Sequence, residues 1–301
     1  ISQFSDRLLV ERRPMSDSHS PDLVADSGRL AGPASGREVE SGVPAAEPQI
    51  HIEVQALTMT FGERVVQRDL NFTVERGDIF IIMGGSGCGK STLLKHMIGL
   101  YTPAAGDIRF AGISFFNASA AQRHQLRKSW GVTFQSGALF SAMTLAENVA
   151  IPLQQHTLLA ADEIREVVAY KLALVGLAGF EQYYPSEVSG GMQKRAGLAR
   201  AIALDPQVLF FDEPSAGLDP ISSRLLDELI LQLADTLGST VVVVTHELAS
   251  IFAIGTNAVF LDANSRTMLD CGPPQYLAAH SQHAIIRRFL RRGGQTITGE
   301  P

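Results

Sequence analysis

The chain has 301 residues, about 45% of them hydrophobic, with 25 basic and 31 acidic side chains. That is enough apolar material for a full core in one large domain, or a domain with a subdomain. The net charge of −6 argues against a nucleic-acid binder, which needs a concentrated basic face, and no apolar run approaches the roughly 20 residues that span a bilayer.

Residues 1–49 are dominated by Ser, Asp, Glu, Pro, Gly and Ala without lasting apolar periodicity, which predicts a disordered tail. The first methionine is Met15, and residues 1–14 are kept out of the fold reasoning. From Ile50, "IHIEVQALTMTFG" and then "LNFTVERGD" alternate apolar and polar side chains, the pattern of an antiparallel layer with one wet face. By contrast "IFIIM" (79–83), "VLFF" (208–211) and "TVVVVT" (240–245) are unbroken apolar runs, which predicts strands covered on both faces. Helical patterns at 91–99, 193–203 and 221–237 lie between and after them, so the fold class is α/β with a mostly parallel sheet. Ligands in such sheets sit beyond the carboxyl ends of the strands. There the chain places Gly84, the pair Asp212 and Glu213, and His246.

Gly84, four residues, then Gly89, Lys90 and Ser91 match the spacing G-x-x-x-x-G-K-[ST], with a buried strand before and a helix after. Glycines at 84, 85, 87 and 89 let the backbone wrap a polyphosphate with its N–H groups inward. Ser86 and Cys88 complete the loop, Lys90 is placed for the β and γ phosphates, and Ser91 and Thr92 open a helix whose N-terminus favours anions. The expected ligands are therefore a nucleoside triphosphate and Mg²⁺, with Ser91 on the metal; ATP is the nucleotide that the resemblance given below implies. "LFFDEP" (209–214) ends a strand in adjacent carboxylates, Asp212 for the metal and Glu213 for the attacking water. Cys88 and Cys271, far apart and without a histidine cluster, indicate neither a disulfide framework nor a metal site, and fit a reducing cytoplasm.

A phosphate loop alone does not choose among kinases, GTPases, helicases and transport ATPases. "EVSGGMQKRAGLARAIALDP" (187–206) does choose: Ser189, Gly190 and Gly191 open another helix, a second anion site some 20 residues before the carboxylate pair. With this element the chain resembles the nucleotide-binding subunits of ATP-binding cassette (ABC) transporters over about residues 50–270. The resemblance implies a P-loop NTPase core with an antiparallel β layer and an inserted helical subdomain at about 136–188, then a C-terminal helix and tail from 275. It implies that Phe61 stacks on adenine, that Gln135 in "VTFQSG" senses metal or water, and that His246 in "VVTHE" contacts the γ-phosphate. It also implies that Asp219 in "SAGLDP" communicates across a head-to-tail homodimer in which Ser189, Gly190 and Gly191 reach the partner's ATP. Val188, Met192 and Gly85 stand where the family usually has Leu, Gln and Pro, but the residues that face phosphate are retained.

"FQSGALFSAMTLAENVAIPLQQHT" together with "PSAGLDP" is similar to the ATPase subunits of Mla-type systems, which work with a permease and an MCE-domain protein to move phospholipids in bacterial envelopes. That resemblance implies a peripheral protein on the cytoplasmic face of the inner membrane, with a permease, an MCE subunit and a small regulatory subunit as partners and no nucleic acid. Leu139, Phe140 and Met143 are candidates for the permease contact, with burial in the subdomain's own core as the alternative. An ATPase of a small-solute importer, and a soluble non-transport ABC ATPase, are the other classes; the second would normally carry a long coiled-coil insertion or duplicated cassettes, absent here. The basic segment 285–292 reads as a short helix at a solvated terminus, or one near a dimer mate or anionic lipid.

Overall fold

A computed structural model describes residues 49–135 and 137–291; all of the tail assigned to 1–49 except its last residue, and the segment 292–301, lie outside the described residues. Among the described residues, ten strands fall into two sheets. β1 (Ile50–Phe61), β2 (Arg64–Glu75), β4 (Ala105–Phe110) and β5 (Ile113–Ser114) form an antiparallel sheet in the order β2-β1-β4-β5. The second sheet holds β3 (Ile79–Gly84), β6 (Trp130–Thr133), β7 (Val208–Asp212), β8 (Thr240–Val244), β9 (Asn257–Asp262) and β10 (Thr267–Gly272), ordered β10-β9-β3-β8-β7-β6. All its pairings are parallel except that of β10 with β9.

The unbroken apolar runs follow from burial on both faces. Ile79, Ile81 and Met83 enter one core with Leu209, Phe211, Val241 and Val243, and Phe80 and Ile82 enter the other with Val208, Phe210, Val242 and Val244. The first core is closed by helices and the second by the antiparallel sheet together with Leu93, Leu94 and Met97 of the helix after Gly89. Each such side chain contributes about 1.5–3 kcal/mol relative to exposure, so the strand interiors stay apolar up to their carboxyl ends.

Nine α-helices are described: α1 (Lys90–Met97), α2 (Ala120–Lys128), α3 (Leu145–His156), α4 (Ala161–Leu174), α5 (Gly190–Ala201), α6 (Pro220–Leu237), α7 (Leu248–Ile254), α8 (Pro274–His280) and α9 (Ala284–Arg291). α5 begins three residues earlier than its apolar period indicates, because the Ser189 side chain accepts from Met192 N and caps it. β2 begins six residues before the alternation at Leu70, because Gln67 is buried where a polar residue would be expected outside. β6 has four residues, too few to display a period. α9 is not a freely solvated helix: Ile286 and Leu290 are buried, and the Phe289 ring meets Phe260 edge-on at 5.3 Å.

α3 and α4 occupy the segment between Gln135 and Ser189. A capping box of Thr144 and Glu147 starts α3. Behind it buried Asn148 donates to the carbonyls of Phe140, Met143 and Thr144 and accepts from Phe140 N, which fixes the preceding loop. Leu139 packs against the core, whereas Phe140 and Met143 face solvent.

Candidate active site

Parallel pairing brings the carboxyl ends of the strands into line: Ile82 is opposite Val244, Val244 opposite Asp212, and Phe211 opposite Thr133. The loop from Gly84, the pair Asp212–Glu213, His246 and Gln135 therefore meet at one edge of the sheet.

The phosphate loop is held from below. Gly84 (φ 147°) and Gly89 (φ 99°) occupy backbone conformations closed to other residues, and a Cβ on Gly84 would lie 2.3 Å from Leu261 O and 2.8 Å from Cys88 Sγ. Cys88 is thus a small buried filler beneath the loop, and burial pushes its thiol above the usual range. A Cβ on Gly85 or Gly87 would meet no protein atom within 4 Å, so these two border the open side with exposed Ser86. Lys90 Nζ donates to Gly84 O (3.0 Å) and Gly85 O (3.1 Å), which holds the cation inside the loop. Ser91 Oγ donates to Asp212 Oδ1 at 2.8 Å. A hydroxyl and a carboxylate, both hard oxygen donors, converge there, a set that suits magnesium. Thr92 follows on the first turn of α1, its carbonyl bonded by His96 Nδ1.

Glu213 is backbone-strained. Its φ of 50° is left-handed for a non-glycine residue that also precedes a proline, and its N–H donates to Val244 O at 2.8 Å. That turn sends the side chain to His246, whose Nδ1–H donates to Oε1 at 2.8 Å. Oε2 is buried with no partner among the described residues, which leaves one acceptor of the carboxylate open.

Phe61 is about half exposed at the end of β1, with its ring edge-on to Tyr101 at 5.6 Å; it is not a core residue. Ser189, Gly190 and Gly191 lie at the start of α5, and Gly191 faces Leu218 and Ser222, beside the N-terminus of α6. That terminus is capped by Asp219, which accepts from the N–H groups of Ile221 and Ser222 and the Ser222 hydroxyl, interactions that hold its carboxyl below the usual range. Among the described residues no hydrogen bond joins Ser189 or Asp219 to the phosphate loop of the same chain.

Comparison with known proteins adds direct similarity. The family model described as ABC transporter matches residues 67–216. The chain is 42% identical over 240 residues to the intermembrane phospholipid transport system ATP-binding protein MlaF of Haemophilus influenzae, covering 80% of this chain and 90% of that one. It is 40% identical over 266 residues to the probable ribonucleotide transport ATP-binding protein mkl of Mycobacterium tuberculosis (strain H37Rv), covering 88% and 72%.

The chain belongs to the ABC transporter family of ATP-binding proteins.

Among solved ABC proteins, it is similar to a dimeric cassette in a post-hydrolysis state bound to ADP and Pi, with a TM-score of 0.67 and 27% identity over 74% of this chain and 98% of that one. It is also similar to cbiO1 of Clostridium perfringens, with a TM-score of 0.70 and 28% identity over 82% and 98%. The expected P-loop NTPase fold and the expected ATPase class both stand. No described helix is long and apolar enough to cross a membrane.

Three residues of this ABC site escape sequence reasoning. Buried Gln67 donates to Cys88 O (2.6 Å) and Asp262 O (3.0 Å), tying the phosphate loop to β2 and β9. Lys194 donates to Gln135 O (2.7 Å) and Glu213 O (3.4 Å). Arg200 donates to Ala138 O (2.8 Å) and Gly137 O (3.2 Å). The only sequence signal for the last two was two cations on one helical pattern, which reads as solvated surface.

Proposed function

We propose that this chain is the ATP-hydrolysing subunit of a bacterial phospholipid transporter, acting as a head-to-tail homodimer on the cytoplasmic face of the inner membrane. The observation that carries the hydrolytic part is the alignment of Lys90, the Ser91–Asp212 pair and the Glu213–His246 pair along one sheet edge. Gly84 to Thr92 enclose the phosphates and Phe61 carries the adenine. Ser91, Gln135 and Asp212 hold Mg²⁺, which when bound neutralises phosphate charge. Glu213, with one buried oxygen open and the other bonded to His246, takes a proton from the attacking water. His246 orients that carboxylate and reaches toward the γ-phosphate.

Ser189, Gly190 and Gly191 present a helix N-terminus that no residue of their own phosphate loop engages, which supports their service to ATP on a second copy. Asp219, next to Gly191 through Ser222, carries the state of one site to the other. Removal of the γ-phosphate then loosens the interface, and that work is delivered to a permease. Exposed Phe140 and Met143 are the permease contact; Leu139, packed into the core, supports them from beneath.

The lipid cargo is supported by the likeness to MlaF proteins along nine-tenths of their length. An MCE-domain subunit and a small regulatory subunit complete the assembly. The name of the mycobacterial relative points instead to a ribonucleotide. Co-purification from membranes with the neighbouring subunits, followed by mass spectrometry of proteins and bound small molecules, separates the two. The expected outcome is a permease and an MCE protein with phospholipid; a solute receptor without lipid overturns the cargo and leaves the ATPase chemistry intact.

A further inference from the structure

The helix that opens at Ser189 grips the catalytic edge as well as presenting its own N-terminus. Lys194, in its second turn, spans two backbone carbonyls far apart in sequence, those of Gln135 and Glu213. Neither bond is a helix cap or a turn closure; one acceptor belongs to Glu213, whose carboxylate meets His246, and the other to Gln135, which the sequence motifs assign to the same site. Farther along the same helix, Arg200 takes the next carbonyls of the Gln135 loop, at Gly137 and Ala138. Gly197 lies between them against Gly137, where a Cβ would come within 3.1 Å of Gly137 O. The carbonyls of Gln135, Gly137 and Ala138 are therefore all held by α5.

Lys194 is half-buried, and burial lowers its ammonium below the usual range, an effect opposed by the charges of Glu247 and Glu213. Lys194 also lines a small cavity with Thr133, Phe211 and Pro214. A cation so placed joins three separate parts of the chain through one atom: the start of α5, the Gln135 backbone, and the strained turn at Glu213.

We propose that Lys194 is a positioning residue for ATP hydrolysis, clamping the Gln135 and Glu213 main chains to the Ser189 helix so that engagement of that helix aligns both side chains. The proposal rests on the assignment of Glu213 as the base. Removing the clamp leaves the phosphate loop untouched but lets two reacting groups drift, a displacement that lowers turnover and not affinity.

The test is steady-state ATP hydrolysis by the full chain with variants Lys194→Met, Lys194→Gln and Lys194→Arg, beside Glu213→Gln. Lys194→Met is expected to lower kcat about tenfold or more with KM for ATP within about twofold, and Lys194→Arg, which keeps a donor and a charge, to recover most of the rate. Lys194→Gln, which keeps a donor without the charge, should lie between them. A wild-type kcat in Lys194→Met overturns the proposal, as does an equal loss in all three accompanied by a lowered Tm, which marks a purely structural role. If Lys194→Met does not fold, the ordering of the Gln and Arg variants decides the matter in the same way. Full turnover by Glu213→Gln would instead sink the base assignment, and a silent Glu213→Gln beside a normal Lys194→Met sinks only the clamp.

Discussion

The His246 imidazole donates from Nδ1 to Oε1 of Glu213 over 2.8 Å, while the other oxygen of that carboxylate is buried and open. One residue is thereby oriented by the other, with a free acceptor left for a water. Glu213→Gln removes the basic oxygen and keeps the volume. It should retain ATP binding and the ATP-bound dimer while hydrolysis falls roughly 10²–10⁴-fold, the range expected for a general base. Lys90→Ala should lose nucleotide binding itself. Equilibrium binding of a fluorescent ATP analogue beside turnover checks both, and full turnover by the Glu213 variant contradicts the role.

Phe61 is half exposed, with its ring T-shaped to that of Tyr101. Its exposed surface is open to a base, and little core packing is lost on truncation. Phe61→Ala should weaken ATP binding about tenfold, as the loss of one base–aromatic stack does, with Tm nearly unchanged. Calorimetric titration with ATP and a thermal melt give the two readouts; unchanged affinity would return Phe61 to a purely structural part.

Gln67 holds the Cys88 and Asp262 carbonyls from a fully buried position. In Gln67→Leu both carbonyls lose their donor inside the protein. The expected destabilisation is about 1–3 kcal/mol, with ATP affinity falling as the phosphate loop loosens. Denaturant unfolding with and without ATP measures it, and a variant as stable as the parent refutes the anchor.

His51 is buried, with Nδ1 on Thr240 Oγ1 at 2.7 Å, and burial together with the nearby Arg76 charge lowers its pKa from 6.5 to about 4. Between those values the unfolded chain binds a proton that the folded chain refuses. The stability due to neutral His51 is thus complete above pH 6.5 and is lost as pH falls toward 4, by on the order of 3 kcal/mol in all. Thermal melts from pH 7.5 to 4.5 should show this slope in the parent and a flatter one in His51→Asn; identical slopes would contradict it.

Phe140 and Met143 are exposed on a loop that Asn148 holds rigid through its bonds to Phe140, Met143 and Thr144. An apolar pair fixed in this way is available to a partner surface. Phe140→Glu with Met143→Glu should abolish co-sedimentation with membranes that contain the permease, while ATP binding in the same preparation reports a folded cassette. Undiminished sedimentation would move the contact elsewhere.

The amino-acid sequence by itself determined whatever depends on near neighbours. The phosphate loop was legible because Gly84, Gly89, Lys90 and Ser91 act within one turn of chain, and the buried strands because both alternations of side chains had to be apolar. The resemblance of Ser189-Gly190-Gly191 and the later motifs to a known family supplied the rest of the candidate site. Tertiary structure alone decided which polar side chains are solvated and which are braces. Lys194, Gln67, Asn148 and His51 look like ordinary surface residues in a linear string, and each becomes a brace through an acceptor or donor presented by folded backbone or a remote strand. The strained turn at Glu213 was equally hidden, since its φ of 50° is imposed by the bond to Val244 on the neighbouring strand. A hydrogen bond depends on distances of about 3 Å, and folding, not spacing in the chain, brings such partners together.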